Sequence, residues 1–332
     1  MSYGNHLTSE WRFRSSKRRM RWKRGNRLRL ISTSEAPPQT RAIFDELRHS
    51  LGVPTVPALY RAYAAFPEFL ELHWQAFRPV LASRQFFLLG ARLAAESYTR
   101  AHNYFEIPSL PSRGPASEAA GGLPIAQVLD YYQYLDPLLL LIASAQMQAF
   151  EGAIGQAEAA PDEARHANFP VAPCLLDDAH ASVAVQRVWE ERRRILHLAF
   201  VSEEHRALAC WPEFYLECWT ALKQLLPSPI YADCQYRIGE SACVLARELP
   251  ERIETEISQL LDAGVDSEAV TSLARIQEAF VEALTGLLLD VTFARIGCEG
   301  GSSSGSISTT EGIGNAPKQP AGISASSPTR AA

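Results

Sequence analysis

Arg61-Ala62-Tyr63-Ala64-Ala65-Phe66-Pro67-Glu68-Phe69 returns later in the chain as Arg206-Ala207-Leu208-Ala209-Cys210-Trp211-Pro212-Glu213-Phe214. Trp74 and Ala76 return as Trp219 and Ala221, and the offset is 145 residues at every position, without a gap. A period that long is not that of a solenoid. It describes two copies of one helical unit, expected to pack about a pseudo-twofold axis with a cleft between them. In both copies the Pro suits the first position of a helix, where its missing N–H costs nothing. The Glu after it suits the positive helix end.

The pattern on either side is helical. Ile43, Phe44, Leu47 and Leu51 share one face and Gly52 follows as a stop, and the same offset leads to Val188, Trp189 and Leu196. Further helices are expected over residues 59–65, 67–80 and 85–102. A Pro/Ser/Gly-rich linker covers 107–122, two apolar helices cover 125–134 and 137–150, and an irregular stretch covers 155–173. The second copy ends in an unbroken helical pattern over 267–293, and no stretch reads as a strand. The fold class is therefore all-α, with two repeats. The expected divisions are a basic leader over 1–34, repeats over 35–155 and 178–298 joined by 156–177, and a disordered Gly/Ser/Pro-rich tail over 299–332.

A chain of 332 residues with 47% hydrophobic content can bury a sizeable core. The net charge of −5 conceals an asymmetry: residues 1–30 hold ten of the 32 basic residues and one acid, Glu10. The leader reads as a nucleic-acid arm, a transit peptide or a disordered extension. The remainder has 22 basic and 36 acidic residues, a net of −14, which argues against nucleic acid as a partner of the folded body. None of the six cysteines forms a CxxC pair or stands at a zinc spacing from a His, so reduced thiols in a cytoplasmic protein are expected. The most apolar run, residues 138–150, is too short for a membrane span.

No GxGxxG, P-loop, HExxH or GxSxG motif is present. Three stretches nevertheless occur in a telling order. They are Tyr134-Leu135-Asp136-Pro137-Leu138-Leu139-Leu140-Leu141-Ile142, then Asp178-Ala179 with Ala181-Ser182 and Val185-Gln186, then Ala207-Leu208-Ala209-Cys210-Trp211-Pro212. In order and spacing, and with the duplication, the chain resembles the group I 2-haloacid dehalogenases over about residues 36–297. The resemblance implies an all-α fold with the active site between two repeats. It also implies hydrolysis of short 2-halocarboxylic acids by direct attack of water, with inversion and without cofactor or metal.

Such a reaction needs a carboxylate base in a dry site, its pKa lifted toward the working pH. It also needs donors for the substrate carboxylate and the departing halide, and no nucleophilic Ser or Cys. By the resemblance, the water-activating Asp falls on Glu204 and the Ser before it on Glu203; a one-residue slip pairs Ser202-Glu203 with them instead. The pocket Asn becomes Asp136, the Tyr beyond it becomes Leu139, and the aromatic pair of the first repeat becomes Thr55 and Ala58. No matched site residue is identical, so a diverged scaffold that acts on or binds another small molecule stays open beside the dehalogenase.

Plainer readings stand next to these. Asp136-Pro137 also suits an N-cap and first helical position, and Glu203-Glu204 a solvated helix start. The repeated aromatics are at core spacing. Arg61 and Arg206 either bridge the two repeats or anchor an anion. The expectation is a small-molecule substrate, no membrane, and a homodimer as the assembly to be checked.

Overall fold

The computed structural model describes residues 28–111, 123–156, 167–196 and 200–302, and the expectations for the rest of the leader, linker, connection and tail fall outside them. Among the described residues there are eleven helices and no strand beyond isolated bridges, so the fold is all-α. No helix there is long and apolar enough to cross a membrane.

Local chemistry sets the helix ends. Helix α1, Pro38–Leu51, closes on Gly52 at φ 65°, and Val53 N–H bonds back to Arg48 O at 3.0 Å. Helix α2 is Ala58–Tyr63, and α3, Pro67–Leu81, carries Pro67 at its start as expected. Ser83 caps α4, Arg84–Tyr104, by accepting from Gln85 N–H at 3.2 Å. After α5, Ile125–Ala149, come α6, Val183–Leu196, and the short α7, Glu203–Leu208. Pro212 opens α8, Pro212–Leu225, and Ser228 caps α9, Pro229–Ala246. Helix α10 is Ile257–Asp262, and Asp266 caps α11, Ser267–Cys298, accepting from Ala269 N–H at 2.8 Å.

The contacts of the duplicated stretch recur at the sequence offset. Trp74 Nε1 donates to Glu46 at 2.9 Å and Trp219 Nε1 to Glu191 at 2.8 Å. Ile31 N–H bonds to Arg61 O, and Leu176 N–H to Arg206 O. Residues 28–34 are thus held against the body, with Ile31 buried.

Helices α5 and α11 form the centre, and α4 and α9 pack on both. The two apolar helices expected around residue 136 are one helix. Pro137 lies inside α5, where it removes a single ladder bond, and residues 135–146 are all buried. A helix apolar on every side belongs inside a core, and that burial outweighs the lost bond. Buried polar groups tie the centre to its surroundings: Gln277 on α11 donates to Ala143 O and accepts from Tyr63, while Gln146 on α5 meets His73 at 2.7 Å.

Helix α4 crosses α5 at Gly90. A Cβ there would overlap Leu138 Cδ2 and stand 3.2 Å from its Cγ, and Leu138 is 1% exposed with little room to yield. Overpacking of this kind costs about 1–3 kcal/mol, and the better helix propensity of Ala returns about 1. Gly90→Ala is therefore expected to lower stability by about 1 kcal/mol net, read as a lower urea midpoint with unchanged slope.

Candidate active site

Asp136 is carried into the core by the apolar residues on every side of it in α5, and it has no exposed surface. It caps no helix. Helix α7 packs against α5 and begins Glu203-Glu204-His205, and Glu204 is 7% exposed. The solvated helix start expected there does not hold for Glu204, because α5 covers it. Neither oxygen of Asp136, nor Oε2 of Glu204, makes a well-formed hydrogen bond to a described group.

Two acids placed so cannot both ionise readily. Burial pushes the Asp136 carboxyl well above the usual carboxylate range, and the charges of Glu204 and then Glu203 push it further. Burial also raises Glu204, but its own backbone N–H, the Ser202 hydroxyl, a proton on Asp136 and the charge of Arg192 all favour its ionised form. The pair therefore keeps its proton on Asp136 and its charge on Glu204.

The other residues expected from the sequence are Glu203, Ser202, Leu139, Thr55 and Ala58. Glu203 faces Arg61 of α2, with Oε1 2.9 Å from Nη1, and about a fifth of its side chain is exposed. Burial and repulsion from Glu204 lift Glu203 to about 7, against the pull of Arg61. Ser202, the residue before α7, is buried. Leu139 lies one turn beyond Asp136 and is 4% exposed. Thr55 is itself exposed, but its hydroxyl is 3.1 Å from Tyr131 OH; burial raises the Tyr131 phenol, and Glu203, Asp136 and Glu204 lie close enough to add to the rise. Ala58 opens α2, one turn before Arg61, and is half-buried. Of the two repeated arginines, only Arg61 reaches Glu203; Arg206 holds Leu176 O at 3.0 Å and Asp178 at 3.3 Å.

A second buried cluster adjoins the first and was not expected. Arg192 of α6 donates to Asp290 of α11 at 2.6 Å, with both side chains at most 4% exposed. Tyr231 OH donates to Asp290 at 3.0 Å, and the guanidinium lies 4.8 Å from the centre of the Trp219 ring. His205 Nε2 is 3.4 Å from Asp290 without a well-formed bond, and burial and the charge of Arg192 lower it to about 4, so it is neutral. Burial alone would raise Asp290, but Arg192 and His205 more than offset it.

Known proteins resemble this chain over most of its length. Residues 54–205 match the family model described as "Halocarboxylic acid dehydrogenase DehI". An (R)-2-haloacid dehalogenase of Pseudomonas putida is 24% identical over 275 residues, which cover 80% of this chain and 91% of that protein. Another, from Rhizobium sp. (strain NHG3), is 22% identical over 229 residues, 67% of this chain and 88% of that one. A solved D-2-haloacid dehalogenase mutant, in complex with D-2-CPA, superposes with a TM-score of 0.75 at 23% identity and covers 82% of this chain and 96% of its own. Over these spans the chain is similar to the 2-haloacid dehalogenases, and it shares their fold.

Proposed function

We propose that this protein hydrolyses the carbon–halogen bond of short 2-halocarboxylic acids, with Glu204 as the base that activates water and Asp136 as its protonated partner. The observation that carries the reading is the burial of these two carboxyls together, at the positions the family resemblance assigns. Water attacks C2 from the side opposite the halide. Glu204 takes a proton from the attacking oxygen as the C–O bond forms, and the halide leaves with the bonding electrons. The product is the 2-hydroxy acid of inverted configuration, with no bond to the protein at any stage. Asp136, holding its proton, offers the donor that the family's Asn would supply. Ser202, Thr55, Ala58 and Leu139 line the substrate's place, which lies between two pseudo-twofold-related repeats over 35–155 and 178–298. The contacts that recur at the sequence offset support that symmetry. Six free cysteines support a reducing compartment such as the cytoplasm. Assembly as a homodimer belongs to the same reading.

Halide release from both enantiomers of 2-chloropropanoate tests the activity, and none at high enzyme concentration would remove it. A second reading, a scaffold serving another small molecule, is favoured by Thr55, Ala58 and Leu139 standing where the family has aromatic side chains. It predicts no halide from either enantiomer.

The division of labour sets the pH dependence. Glu204 must be ionised and Asp136 neutral, so kcat/KM rises above the usual carboxylate range and falls again where Asp136 ionises. Asp136→Asn keeps a donor and cannot ionise. It is expected to retain activity within about tenfold and to lose the high-pH fall. Stability follows the same sign. The folded Asp136 carboxyl is raised, so its contribution is present below about pH 4 and is lost as pH rises toward its folded value. Asp136→Asn removes that loss and is expected to raise Tm at pH 8.

A further inference from the structure

Resting on the dehalogenase reading, we infer that Arg61 is the receptor for the substrate's carboxylate and that Glu203 occupies it until the substrate arrives. Asp136, Glu203 and Glu204 gather three carboxyls around the place where an anion has to bind. Without a cation in reach that anion is repelled. Two guanidinium groups stand near. Arg192 is 4% exposed, bonded to Asp290 and covered by Trp219, so it is spoken for and out of reach. Arg61 is 28% exposed, and its bond to Glu203 uses one of five N–H donors. Its Nε is buried without a partner among the described residues.

The two Nη groups of a guanidinium present a fork that a carboxylate fills with two parallel bonds. Glu203 fills it with one. Exchange of one carboxylate for another keeps the charge on Arg61 balanced and frees Glu203 toward its partly exposed side. The groups facing Glu203 are then Glu204 on its own helix and, from α5, Asp136, Tyr131 and Tyr132, with Arg61 of α2 now occupied by the substrate. None of these neutralises it, so binding of the anion takes up a proton at Glu203 wherever that carboxyl starts ionised, which is above about pH 7. Affinity for a short carboxylate therefore falls as pH rises above neutrality.

The test is binding of propanoate, which carries no halide, measured by calorimetry at pH 6, 7 and 8. Wild type is expected to bind more weakly at pH 8 than at pH 6. Arg61→Gln is expected to weaken binding about 30-fold, as for a lost charged hydrogen bond, and Arg61→Lys by less. Glu203→Gln is expected to bind more tightly than wild type and without pH dependence. A purely structural ion pair gives the opposite pattern, because both substitutions then loosen the same contact and weaken binding together. Unchanged binding in Arg61→Gln, weaker binding in Glu203→Gln, or no propanoate binding by wild type overturns the inference. Chloride release from 2-chloropropanoate separates the two levels. Release by Arg61→Gln at unchanged KM overturns the inference and leaves the activity standing. Arg61-dependent propanoate binding without chloride release by wild type supports the receptor and removes the dehalogenase reading.

Discussion

Glu204→Gln is expected to lower halide release on the order of a thousandfold, the scale of a lost general base. The amide is nearly isosteric and cannot take a proton, so the attacking oxygen has nowhere to lose one. Stability is expected to move the other way. Oε2 of Glu204 and both oxygens of Asp136 lack well-formed bonds, so the substitution breaks none at those atoms. It also removes the charge that adds to the rise of the Asp136 carboxyl. A gain of about 1 kcal/mol at neutral pH is the expected scale for relieving a buried charge. Thermal melts beside the rate assay separate a lost base from a lost fold: an inactive variant with a lowered Tm counts against this assignment.

The largest expected loss of stability is at Asp290→Ala. Arg192 would be left buried and unpaired, and Tyr231 would lose its acceptor. Breaking a buried ion pair from one side costs about 3–5 kcal/mol, a large share of the 5–15 that hold a domain together. Removing both charges is expected to cost far less, so Arg192→Met with Asp290→Leu should recover most of the loss. Urea denaturation of the single and double variants measures this. A loss below about 1 kcal/mol in the single variant contradicts the account of a desolvated pair.

The duplicated stretch around Pro67 and Pro212 was legible because its information is local. Pro at the first helical position, Glu after it and aromatics at core spacing each describe the residues nearby. Asp136 was harder. Asp-Pro is a common helix opening, and only the burial of residues 138–146 on all sides shows why the helix runs through it. The burial of Glu204 comes from α5, far away in sequence, and the six residues of α7 are too few to show a periodicity. Arg192 lay hidden in Glu190-Glu191-Arg192-Arg193-Arg194, which resembles a solvated helix face. The available signal was Asp290, a single acid in Leu287-Leu288-Leu289-Asp290-Val291, because a charge in such a run requires a buried partner.

The central claim is that the buried pair activates water directly. The measurement closest to it is a single turnover of 2-chloropropanoate in water enriched in oxygen-18, with protein in excess over substrate. The account predicts chloride together with 2-hydroxypropanoate of inverted configuration, carrying one heavy oxygen at C2 from the first turnover. First-turnover product without the label at C2 means that a protein carboxylate attacked the carbon. That result, or the absence of chloride, contradicts the account.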